Sequence, residues 1–162
     1  VTDSMSAMGV GIDDLQGYLD VIVTTNNKAN TTAADLMDAF IGCGGAARAA
    51  GMNYKETSTA LGILANNGIK GSEAGTALNS MLVRISTKDV AQKAFKDLGV
   101  AVYDSSGEMR NMRDILVDLN GAMAGMTQEQ KNSYMSAIAG TNYYSQFGYL
   151  LDGVKELSLI HI

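Results

Sequence analysis

Apolar residues recur along this chain at helical spacing, broken at short intervals by Gly, Asn, Ser and Thr. Leu78, Met81, Leu82 and Ile85 fall at i, i+3, i+4 and i+7, one stripe on one helix face. Ser72, with Glu73 in the first turn, is expected to cap that helix. Upstream, Thr32 with Asp35 reads as an N-cap, followed by Leu36, Met37, Phe40 and Ile41 in a helix predicted to run to Gly51. Its middle, Gly42-Cys43-Gly44-Gly45, costs on the order of 1 kcal/mol per Gly against Ala. Either a neighbour packs tightly there or the helix breaks. Asn53 and Glu56 have capping-box spacing and open a helix whose apolar face is Leu61, Leu64 and Ala65. Asn67-Gly68 ends it, with Gly68 in the left-handed position beyond the last turn.

Thr87 is expected to cap a shorter helix holding Val90, Ala91, Ala94, Phe95 and Leu98, stopped by Gly99. The period then changes. Val100, Val102 and Tyr103 are β-formers, and Asp104-Ser105-Ser106-Gly107 has the chemistry of a type I turn. With Glu108-Met109-Arg110 returning, this predicts one small β-hairpin near 100–110. Asn111 caps the next helix, lined by Met112, Ile115, Leu116 and Leu119. Thr127 and Gln130 form a second capping box, before Tyr134, Met135 and Ile138, and Gly140 closes that helix. A last helix carries Phe147, Leu150, Leu151 and Val154, and Leu15 to Val23 supplies one near the start. The fold class expected is mainly α: a helical bundle of about seven or eight helices with one small hairpin.

Composition supports a folded core. The 162 residues are 46% hydrophobic and 18% charged, with no Pro, 18 Gly and 10 Met. Absence of Pro removes the commonest helix breaker. The net charge of −5 argues mildly against direct nucleic-acid binding, which draws its affinity from basic residues on phosphates. Cys43 alone allows no intrachain disulfide and, in an apolar helical pattern, reads as a small buried hydrophobe. No apolar run reaches the roughly 20 residues of a membrane span. Val1-Thr2-Asp3 has no Met and no signal pattern, so the chain is expected to be a piece of a longer protein.

Candidate chemistry is sparse. The only His is His161, one residue from the end, a poor position for a catalytic base. One Cys and one remote His do not make a zinc site. Gly9-Val10-Gly11 and Gly42-Cys43-Gly44 lack the spacing and the preceding strand of phosphate loops. Seventeen acids always offer a pair, as a glycosidase requires. Yet Asp35, Glu56, Glu73, Asp114 and Glu129 each fall in the first turn of a predicted helix, where negative charge is favoured, and Asp104 belongs to its turn. No catalytic, cofactor-binding or metal-binding residue is therefore expected, and no cofactor. Met81, Met112 and Met135 read as packing residues, and Tyr143, Tyr144 and Tyr149 as core or interface.

The stretch LGILANNGIKGSEAGTALNSMLVRI, residues 61–85, resembles the most recognisable block of phage tail tape measure proteins of the TP901 type. FKDLGVAVYDSSGEMRNMRDILVDLNGAM (95–123), MTQEQKNSYMSAIAGT (126–141) and YSQFGYLLDG (144–153) resemble further blocks in the same order. Residues 31–155 then correspond to the tape measure core region, 1–30 to an N-terminal helical extension, and 156–162 to a tail that is a truncated helix or foreign to the natural chain. Tyr143-Tyr144 departs from the smaller residues expected there.

The resemblance implies a non-enzymatic virion tail component, made in the bacterial host cytoplasm and acting in tail length determination, tail assembly and DNA ejection. It implies contacts with copies of itself, as a homo-trimer or other homo-oligomer, with tail tube and tail-tip proteins and tail assembly chaperones, and transiently with host membrane. It implies no specific nucleic acid. Two other readings remain open: a peptidoglycan-degrading module, and a membrane-active segment for DNA entry built on residues 36–51.

Overall fold

The structure, a computed structural model, describes residues 1–154. Its helices in chain order are α1 (Thr2–Ala7), α2 (Leu15–Lys28), α3 (Ala33–Ala49), α4 (Tyr54–Asn66), α5 (Gly71–Thr87), α6 (Asp89–Leu98), α7 (Met112–Met123), α8 (Gln128–Ala139) and α9 (Tyr144–Asp152). A single 3-10 turn, Ile12–Asp14, leads into α2. The mainly α expectation holds, with two more helices than the lower estimate and α1 not foreseen. The Lys155–Ile162 stretch, and with it His161 and the 156–162 tail, lies outside the described residues.

At the centre is α4. Every residue from Thr57 to Ala65 is buried, so this helix is surrounded rather than packed on one face. Only its aliphatic stripe was legible in the sequence, because three of the buried residues are hydroxyls. Thr57 Oγ1 and Thr59 Oγ1 donate back to the carbonyls of Asn53 and Lys55, at 2.8 and 2.9 Å. Ser58 Oγ pairs with Thr25 Oγ1 of α2 at 2.6 Å. Hydroxyls satisfied in this way can enter a core because their hydrogen bonds offset the cost of desolvation. No buried side-chain polar atom among the described residues lacks a partner.

Around α4 the most extensive contact is between α3 and α5. The Gly42–Gly45 segment does not break α3, which runs through it. Two close approaches explain why. A Cβ on Gly75 of α5 would lie 2.5 Å from the carbonyl oxygen of Ala39 and 3.0 Å from its Cα. A Cβ on Gly44 would lie 2.6 Å from the backbone of Ala7 in α1. Backbone therefore meets backbone on two sides of α3, which the buried Ala39, Cys43, Ala47, Ala74 and Ala77 reinforce with small side chains. One contiguous core runs from Met5 to Val154, and α6, α8 and α9 complete it at the far end.

Caps mark most boundaries where the sequence put them. Thr32 Oγ1 accepts from Asp35 N at 3.1 Å, and both capping boxes form, Asn53 with Glu56 and Thr127 with Gln130. Asn111 also caps, accepting from Arg113 N at 2.9 Å. Gly68 takes φ +87°, as a residue beyond a helix end should. Two expected caps are corrected. Ser72 does not cap α5: Gly71 turns the chain at φ +58°, the helix starts there, and Ser72 already lies inside its first turn. Thr87 does not cap α6: it is the last residue of α5, its hydroxyl donates to Val83 O at 2.6 Å, and Lys88 precedes α6 instead.

The hairpin is a further correction. No strand forms among the described residues; one antiparallel bridge, Tyr103 with Met109, is all that 100–110 contains. The turn itself is real, with Gly107 N donating to Asp104 O at 3.1 Å. Asp104 Oδ1 also accepts from Ser106 N, Ser106 Oγ and Glu108 N, at 2.9, 2.6 and 3.1 Å. A side chain that takes these donors holds a compact loop. With α6 ending at Leu98 and Asn111 already capping α7, too few residues remain to extend a ladder.

Glycine substitutions test this packing. Gly75→Ala should destabilise the chain by about 1–3 kcal/mol, since the methyl meets backbone that must move. Gly45→Ala, two turns from the same contact and with open space around it, should stabilise by about 0.5–1 kcal/mol. Urea unfolding midpoints of the two variants read the difference, and equal effects would contradict the close approach. Gly68→Ala, also in open space, should cost about 1–2 kcal/mol through backbone conformation alone.

Candidate interaction surface

An apolar recess of about 400 Å³ opens between α4, α5, α7 and α9. Its floor comes from the buried faces of three amphipathic helices: Leu78, Met81, Leu82 and Ile85 of α5, Met112 and Leu116 of α7, and Phe147 and Leu150 of α9. Those are residues whose helical spacing was legible in the sequence. What the sequence did not announce is that the N-termini of α4 and α7 meet at its mouth.

One carboxylate ties the two helix starts together. Glu56 Oε2 accepts from Asn53 N at 3.0 Å, and Glu56 Oε1 accepts from Asn111 Nδ2 at 2.9 Å. Both oxygens of Glu56 thus serve fixed donors on two helices. Lys55, Arg113 and Asp114 complete the rim. Arg113 Nη1 approaches Asp114 Oδ1 only to 4.0 Å, and both side chains are solvated, so this pair contributes little. Lys55 has no carboxylate within 4.0 Å among the described residues.

The other acids fall as their sequence positions implied. Asp35, Glu56, Glu73, Asp114 and Glu129 occupy first turns of α3, α4, α5, α7 and α8. Asp104, held by its loop donors, has its carboxyl lowered from the ordinary range, chiefly by the Ser106 hydroxyl. Of these acids, Glu56 and Asp114 share the recess, brought together by their helix starts. Among the described residues, no three His, Cys, Asp or Glu side chains cluster as metal ligands. Met81 and Met112 are buried, and Met135, Tyr143 and Tyr149 pack partly buried against the core, whereas Tyr144 is exposed.

Cys43 lies fully buried between Gly42 and Gly44, and burial pushes its thiol up to about 12. The Tyr54 phenol is also pushed up to about 12, first by desolvation and then by its bond to Asp14 Oδ2 at 2.7 Å. Sequence reasoning did not single out Arg84 of α5, yet it fixes α8. Its Nε and Nη2 donate to Ile138 O and Ala137 O, at 3.2 and 3.0 Å. A cation on the last carbonyls of a helix satisfies acceptors that no backbone donor reaches.

Fold and surface together define a small all-helical packing module. Comparison with known proteins gives the kinship: the chain belongs to the phage-related minor tail protein family, whose model matches residues 1–140. It is 33% identical over 157 residues to the tape measure protein of Pneumococcus phage Dp-1, covering 96% of this chain and 14% of that protein. It is 30% identical over 149 residues to the probable tape measure protein of Escherichia phage P2, covering 90% of this chain and 18% of that protein. The chain therefore spans less than a fifth of either relative. No solved structure matches it. The resemblance to phage tail tape measure proteins holds.

Alkaline titration should expose the buried protons. The ordinary thiol and phenol lose theirs near 9.0 and 10.0, whereas Cys43 and Tyr54 keep theirs to about 12 in the folded chain. Their contribution to stability is complete below pH 9 and declines as pH rises toward 12. Urea midpoints across that window should fall, and fall less in a Cys43→Ala/Tyr54→Phe chain. At neutral pH, Cys43 should react with a thiol reagent only as fast as the chain unfolds; immediate labelling would refute its burial.

Proposed function

We propose that this chain is a non-enzymatic structural segment of a tape measure protein, made in the cytoplasm of a bacterial host and built into the virion tail. In this reading the parent protein sets tail length, organises tube assembly and leaves the tube during DNA ejection. The single observation that carries it is the match of most of the chain to tail proteins, with both relatives named as tape measure proteins. Residues 31–155 serve as the core region and 1–30 as its N-terminal extension. Contacts follow from the role: copies of the same chain in a homo-trimer or other homo-oligomer, tail tube and tail-tip proteins, and the chaperones of tail assembly.

The non-enzymatic part of the reading is supported by the employment of the acids. Glu56, the recess carboxylate that a hydrolase would recruit, already bridges α4 and α7 through both oxygens. The membrane-active reading finds less support. Leu36, Phe40, Cys43 and Ala47 of the 36–51 segment are core residues, and no helix among the described residues is long and apolar enough to cross a membrane.

In-frame removal of codons 31–154 from the phage or prophage that carries this gene tests the proposal. Electron microscopy should find heads without normal tails, or tails of altered length, and mass spectrometry should find the unaltered protein in assembling tails. Normal infectious tails from the deletion would overturn it. A cell-wall zymogram band from the purified chain, abolished by Glu56→Gln or Asp114→Asn, would overturn its non-enzymatic part.

A further inference from the structure

The recess between α4, α5, α7 and α9 carries both signs of charge at its mouth, Lys55 and Arg113 beside Glu56 and Asp114. The whole chain carries −5. At the recess mouth two helix N-termini converge, each with the positive end of its dipole, alongside Lys55 and Arg113. Of the two rim carboxylates, Glu56 is spent on the Asn53 and Asn111 donors, and Asp114 reaches Arg113 only at 4.0 Å. What remains is an apolar floor under a formally neutral rim whose free donors, among the described residues, are the unpaired Lys55 ammonium and the loosely paired Arg113 guanidinium. The occupant it suits is an aliphatic side chain flanked by carboxylates.

The chain displays such a group. Ile12 is 74% exposed, the most exposed large hydrophobic side chain among the described residues. It stands in the 3-10 turn between α1 and α2 and is followed at once by Asp13 and Asp14. The turn is held from below, because Asp14 Oδ2 accepts from Tyr54 OH at 2.7 Å. Gly17 leaves the space for that bond: a Cβ there would lie 2.5 Å from Asp14 Oδ1 and 2.8 Å from Tyr54 OH. Asp13 is exposed and, among the described residues, has no ion-pair partner. An isoleucine fixed in solvent by a braced turn contributes nothing to its own core.

We propose that the α4–α5–α7–α9 recess is a docking socket for a second copy of this chain, which inserts Ile12 over the apolar floor and sets Asp13 against Lys55 and Arg113. Plug and socket are different surfaces, so the contact is head-to-tail unless a two-fold axis lets each copy fill the other's recess. One aliphatic anchor with rim ion pairs makes a weak, salt-sensitive contact, suited to copies already gathered in one assembly. The inference does not rest on the tail assignment, and a failure here leaves that assignment standing.

Sedimentation equilibrium of the 162-residue chain, run to millimolar concentration at low and high salt, tests it. The chain should self-associate, with at least tenfold weaker association in high salt. Ile12→Ser, at a solvated position that leaves the fold intact by circular dichroism, should weaken association at least tenfold. Asp13→Lys alone and Lys55→Glu/Arg113→Glu alone should each be monomeric, while an equimolar mixture of the two should associate, since reversed plug meets reversed socket. A monomeric parent chain, indifference to Ile12→Ser, or a mixture that stays monomeric would each overturn the proposal. So would a monomer whose recess is filled by dodecyl sulfate at micromolar concentration, which would assign the recess to an amphiphile.

Discussion

The rest of this structure depends on how closely the backbones of α3 and α5 approach. Gly75 against Ala39 leaves no room for even a methyl group. Dispersion and burial per residue are small for Gly and Ala, but close approach lets the neighbouring large residues interdigitate fully. Leu36 and Phe40 on α3 and Leu78, Met81 and Leu82 on α5 are all nearly inaccessible to solvent. The conformational freedom of Gly, a liability in an isolated helix, is offset here by packing available to no larger residue. The same logic repeats at Gly44, where α1 rests on the opposite side of α3. Cys43, between the two contacts, is inert because it is enclosed, and its raised proton affinity reports that enclosure.

Polar side chains do a complementary job. Each short helix begins and ends inside or beside the core, where its unpaired N–H and C=O groups need partners. Asn53, Glu56 and Asn111 satisfy two helix starts with one connected set of bonds, and Arg84 satisfies a helix end. Asn120 Nδ2 does likewise for Leu151 O at 2.7 Å, fastening α7 to α9. These bonds connect elements far apart in sequence, from 31 to 55 residues. They fix the angles between helices that a greasy interface alone leaves loosely specified.

How much of this was legible in the sequence follows from the range of each interaction. Local chemistry was legible: both capping boxes, the Thr32 and Asn111 caps, Gly68 and Gly99, and the α5 stripe all act within a few residues. Ser72 failed because Ser is only one way to begin a helix; a glycine at positive φ one residue earlier did it without a side chain. Thr87 failed because a hydroxyl serves an i−4 carbonyl inside a helix as readily as an N-cap. The hairpin failed because β-formers make a ladder only if enough chain remains, and Val100 and Val102 instead turn inward as core residues. Partnership across the fold was invisible. Whether Gly42–Gly45 would break or pack depended on Gly75, thirty-odd residues on, and the burial of the α4 hydroxyls depended in part on Thr25 of α2. The recess was half legible: its floor lay in the periodicity, its mouth in the meeting of two helix starts.

A ruler encodes length only if each residue adds a fixed rise along the axis. As one straight helix, 154 residues would extend about 230 Å at the α-helical rise. Folded as a compact domain, the same residues have a radius of gyration of only about 15 Å by ordinary scaling. The interruptions that permit folding are built into the sequence at Gly51, Gly68, Gly99 and Gly140, all at positive φ. Restoring an axial helix would force those glycines back through the helical region and strip α4 of the neighbours that bury its hydroxyls. The folded state therefore contributes a body of fixed size rather than an increment of length. The matched stretch is 14% of the Dp-1 relative and 18% of the P2 relative, so it accounts for a small part of the length of either. Under the proposed tape measure role, such a body offers a fixed surface and contributes nothing that scales with residue number.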